Sequence, residues 1–244
     1  TITTADFTLD TSKTELAVSV APKAFSLNAG SKTSDVTISP VVNATSGIMS
    51  YEIAVSANGT VVKKFTGSGK VPASIKWDGL SDSGTRCADG EYVAKISTVA
   101  NSGTEATAES GKFIIDSTAP VIKVSVPYLV FSPEETSTKK VLPLKVEESS
   151  VEDLWTAEIA DAKGSIVKTL HFENSRALDF DWDGTDDNGN KVANGKYLLT
   201  IAATDIAGNK GSASIKDINL DARPVSVYLT AEHKGISPNG DGFL

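Results

Sequence analysis

Apolar and polar residues alternate in short runs along most of the chain, and turn-forming dipeptides separate the runs. The clearest run follows a tyrosine: Tyr92, Ala94 and Ile96 point one way, Glu91, Lys95 and Ser97 the other. A second run repeats it, with Tyr197, Leu199, Ile201 and Ala203 forming one row. A period of two with one polar face predicts antiparallel strands with one solvated surface. Seven or so strands are expected in each half. In the first they fall near 15–21, 35–42, 49–57, 61–66, 73–77, 91–99 and 106–115. In the second they fall near 121–126, 140–147, 154–160, 166–172, 177–182, 196–204 and 211–220. The breaks carry Asn58-Gly59, Ser83-Gly84, Asp89-Gly90, Lys163-Gly164, Asn188-Gly189 and Asn194-Gly195, where glycine supplies a positive φ without a Cβ clash. Helical periodicity is absent over any useful window; Ser149 to Leu154 suits one turn at most.

The two halves are copies of one another, about 105 residues apart. Phe7-Thr8-Leu9-Asp10-Thr11-Ser12 recurs as Phe113-Ile114-Ile115-Asp116-Ser117-Thr118 and again as Ile218-Asn219-Leu220-Asp221-Ala222-Arg223. A short apolar strand and a serine turn follow each: Ala24-Phe25-Ser26, Val130-Phe131-Ser132 and Gly235-Ile236-Ser237. Glu52-Ile53-Ala54 aligns with Glu158-Ile159-Ala160, Trp77-Asp78-Gly79 with Trp182-Asp183-Gly184, and Asp89-Gly90-Glu91-Tyr92 with Asn194-Gly195-Lys196-Tyr197. The expected organisation is a preceding repeat's tail or simply the chain's opening at 1–12, one sandwich at 13–117, a second at 118–222, and the truncated start of a third repeat at 223–244. Residues 225–244 are expected to be loosely held or paired with a neighbour's sheet edge. The fold class is all-β, as tandem antiparallel Ig-like β-sandwiches. The joints Asp116-Ser117-Thr118-Ala119-Pro120 and Asp221-Ala222-Arg223-Pro224 are short and proline-ended, so the modules should sit end to end with limited flexing.

Composition narrows the function classes. The 244 residues are 40% hydrophobic, enough for two cores and too many for one sandwich of roughly 100 residues. A net charge of −8 repels phosphate, which argues against nucleic acid and anionic membranes as partners. No apolar stretch approaches the length of a membrane span. Cys87 is the one cysteine, so no intramolecular disulfide forms. The opening Thr1-Ile2-Thr3-Thr4 is no signal peptide, and the chain reads as a fragment of something longer.

Trp182-Asp183-Gly184-Thr185-Asp186-Asp187-Asn188-Gly189, then Asn194-Gly195-Lys196-Tyr197 and Ala203-Thr204-Asp205-Ile206-Ala207-Gly208-Asn209, resembles the Ig-like domain of flagellar hook-capping proteins and related bacterial surface proteins. Ser237-Pro238-Asn239-Gly240-Asp241-Gly242 is similar to the segment that opens such modules. The resemblance runs through both copies. It implies an Ig-like fold and a place outside the cytoplasm, but sandwiches carry many unrelated roles. The first copy departs from the pattern, since Val99-Ala100-Asn101 replaces Thr-Asp-x-Ala-Gly-Asn.

Few residues are candidates for chemistry. Asp179, Asp181 and Asp183, with Asp187 ninth and Asn190 twelfth, have the spacing of a Ca²⁺ loop. Against this, the twelfth position lacks a bidentate carboxylate, and the first copy has Ser74, Lys76 and Asp78 at the leading places. In a strand, the three leading aspartates would form a solvated row opposite Phe180 and Trp182. Trp77 and Trp182 are read as core anchors rather than ligand platforms, and Tyr92 and Tyr197 as corner tyrosines bonding back to the backbone. Trp155 aligns with Met49 and is read as a substituted core position. Cys87 aligns with Val192 and is read as a buried, inert thiol. No Cys-His or Ser-His-Asp arrangement is supported, so no catalytic residue is expected.

The expected function is a noncatalytic structural or adhesive repeat region of a bacterial surface or secreted protein. It would lie outside the cell, on its surface or in the periplasm, with neighbouring repeats as partners and an extracellular protein or glycan as the ligand class. An accessory region of a secreted enzyme and a flagellar or appendage assembly scaffold are the alternatives.

Overall fold

The computed structural model describes residues 13–224 apart from Gly30 and Lys32, together with 226–230. The repeat markers at 7–12 and 235–242, the whole of 1–12 and most of 225–244 lie outside the described residues.

Strands are the only regular elements among the described residues, and they fall in two sets. The first comprises β1 (Glu15–Ala21), β2 (Ala24–Phe25), β3 (Val36–Asn43), β4 (Ile48–Ala57), β5 (Thr60–Gly67), β6 (Ile75–Trp77), β7 (Gly90–Ala100), β8 (Glu105–Glu109) and β9 (Phe113–Ile115). The second comprises β10 (Ile122–Ser125), β11 (Val130–Phe131), β12 (Leu142–Ser149), β13 (Glu152–Asp161), β14 (Ile166–Ser175), β15 (Phe180–Trp182), β16 (Gly195–Thr204) and β17 (Lys210–Leu220). Each set forms a three-stranded sheet, β1-β3-β6 or β10-β12-β15, facing a larger one, β2-β9-β7-β4-β5 or β11-β17-β16-β13-β14. Inward rows from both sheets meet in a separate core per set. Val36, Ile38, Ile53, Val55 and Ile96 fill the first core; Leu142, Leu144, Ile159, Leu199 and Ile201 fill the second. This is the aligned sandwich that period-two alternation calls for.

Two details differ from the expected antiparallel pattern. The two-residue strands β2 and β11 run parallel to the last strand of their own sandwich. The strand expected at 106–115 is broken into β8 and β9. Ser110 takes both backbone groups of Ala94, donating its N–H to the carbonyl and accepting the Ala94 N–H on Oγ, so the ladder is interrupted there.

The alignment of β4 with β13 is also corrected. Ile96 pairs with Ile53, and its counterpart Ile201 pairs with Ala157, so Ala157 matches Ile53 and Ile159 matches Val55. Trp155 pairs with Ala203 where Tyr51 pairs with Thr98. The aromatic counterpart of Trp155 is therefore Tyr51. Met49 lies at a strand irregularity and is largely exposed. The link between β3 and β4 is longer than that between β12 and β13, and this shifts the register by two residues. Trp155 itself is fully buried, as a core residue should be, and its Nε1 donates to the Ser150 carbonyl at 3.1 Å.

Thr98 faces the first core with a hydroxyl that has no hydrogen-bond partner. At the same register the second sandwich carries Ala203. A buried hydroxyl without a partner costs stability. Thr98→Val should raise the unfolding free energy by about 1 kcal/mol in urea titration.

Candidate functional site

The repeated Trp-Asp-Gly motif is a folding device. Trp77 and Trp182 are buried, each in an aromatic cluster; Trp182 sits 5.0 Å from Tyr197 and 5.3 Å from Phe131, centroid to centroid. Each indole Nε1 donates to a carbonyl three residues on, Leu80 at 2.8 Å and Thr185 at 3.0 Å. The intervening Asp78 or Asp183 accepts the backbone N–H two residues on, and Gly79 or Gly184 adopts a positive φ. A polar handle on a large apolar ring thus fixes the turn it sits beneath. Tyr92 and Tyr197 donate to the carbonyls of Ala88 and Ala193 at 2.6 and 2.5 Å. Burial pushes both phenols up from their ordinary pKa.

The five residues of the Ca²⁺-like spacing are spread over separate jobs. Asp181 is exposed on β15 while Trp182 beside it is buried. Asp179 accepts the Val146 N–H at 2.8 Å and meets the Lys145 ammonium at 3.3 Å, contacts that hold its carboxyl below the usual range. Asp183 accepts from the Thr185 hydroxyl and backbone N–H, the hydroxyl contributing most to lowering its pKa. Asp187 accepts the Thr169 N–H of edge strand β14, as Asp82 accepts the Lys64 N–H of β5. Asn190 donates its backbone and side-chain N–H groups to Asp186. Among the described residues, no group of three or more His, Cys, Asp or Glu side chains is placed to hold a metal ion.

Asp186 belongs to a five-residue turn used three times in the second sandwich. In each turn the leading aspartate accepts two backbone N–H groups on Oδ1: Asp161 from Lys163 and Ser165, Asp186 from Asn188 and Asn190, Asp205 from Ala207 and Asn209. The fourth residue is Gly164, Gly189 or Gly208, all with positive φ. The chemistry is local bracing of the backbone.

The third of these turns joins the two sandwiches. Asp205–Asn209 is the tip between β16 and β17, and it inserts against the first sandwich's Ser26–Thr33 loop. Asn209 is 4% exposed, and all four positions of its amide are used. Its Oδ1 accepts from the Ser26 hydroxyl at 2.5 Å and from Asn28 Nδ2 at 3.0 Å. Its Nδ2 donates to the Asp116 carbonyl at 2.9 Å and to Asp205 Oδ2 at 2.8 Å. Two positions away, the Ala207 carbonyl accepts from Thr33 Oγ1 at 2.6 Å and Ser31 Oγ at 3.1 Å. Ala207 is fully buried, whereas Ile206 at the tip points outward.

The connecting segment is fastened as well. The Ser117 N–H donates to Asp89, the Ser117 hydroxyl accepts the Leu27 N–H, and Asp116 accepts the Thr118 N–H. Val121 and Ser150 exchange hydrogen bonds on the far side. A buried polar plug with every group satisfied holds one arrangement, because any slip leaves desolvated donors and acceptors unpaired.

In the sequence Asp205–Asn209 stands as part of the family pattern, Asp116–Pro120 as a joint and Ser26 as a repeat marker, with nothing to bring the three together. Their signal is the shared pattern of Asp186-Asp187-Asn188-Gly189-Asn190 and Asp205-Ile206-Ala207-Gly208-Asn209, in which one copy ends on an exposed asparagine and the other on a buried one. Periodicity cannot distinguish them, since burial of Asn209 comes from the neighbouring sandwich.

Comparison with known proteins agrees with the resemblance read from these motifs. Residues 134–206 match the FlgD Ig-like domain, a span that includes the Trp-Asp-Gly turn and the corner tyrosine of the second sandwich. The basal-body rod modification protein FlgD of Salmonella typhimurium is 36% identical over 113 residues, covering 46% of this chain and 43% of that protein. FlgD of Escherichia coli K12 is 34% identical over 73 residues, covering 29% of this chain and 32% of that protein. Among solved structures, one reported for host cell surface retention of a 1.5-MDa bacterial ice-binding adhesin superposes with a TM-score of 0.43 at 19% identity, covering 87% of this chain and 67% of that one. The second sandwich thus resembles the FlgD Ig-like domain, in a chain that spans less than half the length of the curated relatives it matches.

Proposed function

We propose that this chain is a noncatalytic structural or adhesive repeat region of a bacterial surface or secreted protein, in which sandwiches at 13–117 and 118–222 are held in a fixed relative orientation. Its working site is the joint. The observation that carries the reading is the saturated Asn209 amide, bonded to Ser26, Asn28 and the Asp116 carbonyl across the boundary. A spacer whose task is reach needs defined angles between modules, and a polar plug defines an angle more sharply than a greasy contact does. The partners proposed are neighbouring repeats, with an extracellular protein or glycan as the ligand class. The location proposed is the cell surface, the extracellular space or the periplasm. An assembly scaffold of a flagellum or other appendage is the second reading, favoured by the FlgD Ig-like match at 134–206.

Spin labels at Lys76→Cys and Asp181→Cys, in a Cys87→Val background, test the joint by distance measurement. The parent should give a single narrow distribution. Asn209→Ala should broaden it while leaving both core melting transitions near their parent positions. An equally narrow distribution in Asn209→Ala would remove the plug from the explanation, and a broad distribution in the parent would remove the fixed-orientation spacer.

A further inference from the structure

The outer pole of the second sandwich carries the same internal frame as the pole that receives Asn209. In the occupied cradle the Ser26 N–H donates to the Thr33 carbonyl, the Ser31 N–H to the Asn28 carbonyl, and the Asp116 N–H to the Phe25 carbonyl. In the second sandwich Ser132 donates to Lys139, Ser137 to Glu134, and Asp221 to Phe131, in the same order. The departing segments agree too: the Ser117 N–H reaches Asp89 where the Ala222 N–H reaches Asn194, and Asp116 and Asp221 each accept an N–H from two residues on. The loop that forms a cradle is therefore already in place at the second pole. The difference lies in what covers it. Ser26 is fully buried beneath the Asn209 turn, whereas Ser132 is only half-buried.

We propose that the Ser132–Lys139 loop, with the Asp221 carbonyl, is a second cradle that receives the Asp-x-Ala-Gly-Asn turn of another sandwich of this kind. The inference rests on reading the first joint as a lock. All but one of the positions that contact Asn209 or the Ala207 carbonyl have a counterpart here. Ser132 supplies the hydroxyl donor that Ser26 supplies to Oδ1. The Asp221 carbonyl takes the place of the Asp116 carbonyl as acceptor for Nδ2. Ser137 stands where Ser31 donates to the alanine carbonyl. Lys139 stands in place of Thr33; its ammonium lies 4.6 Å from the centroid of the Tyr128 ring and would swing from there to reach the same carbonyl. One group does not transfer: Glu134 replaces Asn28, and its carboxylate, 3.1 Å from the Lys191 ammonium, has no N–H to give Oδ1. The second cradle therefore accepts the same turn with one donor fewer, and Glu134 is the residue that sets how tightly it closes.

The test replaces residues 223–244 in the Cys87→Val background. A copy of residues 118–222 is fused directly after Ala222, which reproduces the Asp-Ser-Thr linker geometry with Asp-Ala-Thr. Spin labels at Asp181→Cys in the native second sandwich and in the fused copy report the new joint. Labels at Lys76→Cys and Asp181→Cys report the first joint in a companion sample. The expected result is one defined distance at the new joint, with a wider spread than at the first. Glu134→Asn should narrow it, and Asn209→Ala in the fused copy alone should disperse it. A dispersed distribution in the parent fusion, or one that Asn209→Ala in the fused copy leaves unchanged, overturns the proposal. If the first joint stays narrow meanwhile, the spacer reading survives without it. Should the fused copy not fold, a cyclised peptide of residues 203–211 is added to the native chain and backbone amides are followed by NMR. Saturable shifts at Ser132, Ser137 and Lys139 that Ser132→Ala abolishes support the cradle, and their absence overturns it.

Discussion

Gly211→Ala should destabilise the second sandwich by about 3 kcal/mol and loosen its hold on the first. A Cβ at position 211 would stand 2.0 Å from the Pro120 carbonyl oxygen and 2.7 Å from its carbonyl carbon. Both are backbone atoms, so no side-chain rotation relieves the clash; the linker must lift from β17. The strand itself does not demand glycine, because Ala106 occupies the matching register in the first sandwich, opposite Thr98 as Gly211 is opposite Ala203. What demands it is the buried proline of the linker crossing at that point. Urea titration of the full chain should show the second sandwich's transition moving to lower denaturant while the first stays in place. Joint distances should broaden in the same variant. A tolerated alanine, with both readouts unchanged, would mean the linker does not lie on β17.

Trp182→Ala should cost about 3–5 kcal/mol, the range for removing a large aromatic side chain from a packed core. The ring is 2% exposed, packs against Phe131 and Tyr197, and fixes the following turn through its Nε1 bond to Thr185. Its loss should abolish the second sandwich's melting transition or bring it down sharply. The two cores share no residues, so near-ultraviolet signal from Trp77 should persist through that transition. Loss of both transitions together would indicate one cooperative unit spanning the joint.

The fold was legible because its cause is local. Alternation at Tyr92–Ile96 and Tyr197–Ala203 reports the sheet faces directly, and glycine-bearing turns mark where strands stop. Register across the repeat was less legible. Glu52-Ile53-Ala54 and Glu158-Ile159-Ala160 look alike, yet the length of the preceding loop sets the pairing and brings Ala157, not Ile159, opposite the residue matching Ile96. The joint was least legible of all. Asn209 is far in sequence from Ser26, Asn28 and Thr33, and all four are ordinary in type. Their meaning arises when one sandwich desolvates the other's turn. The acidic run at 179–190 shows the converse, since metal-like spacing there coincides with turn bracing and with pairing to β12 and β14.

The short parallel pairings bear on how such an array carries load. β11 continues from the segment that brings the chain into the second sandwich, and β17 is the strand by which the chain leaves it. The two lie side by side and point the same way, bonded from Asn219 to Leu129 and from Asp221 to Phe131. Tension drawn through the ends of the sandwich reaches this pair once β10 has come away from β12, and it then acts along both strands and strains their bonds together, where a hairpin pulled open would surrender them in turn. Resistance to stretching is then a matter of how slowly the sandwich yields, as in other proteins whose forced unfolding is governed by rate.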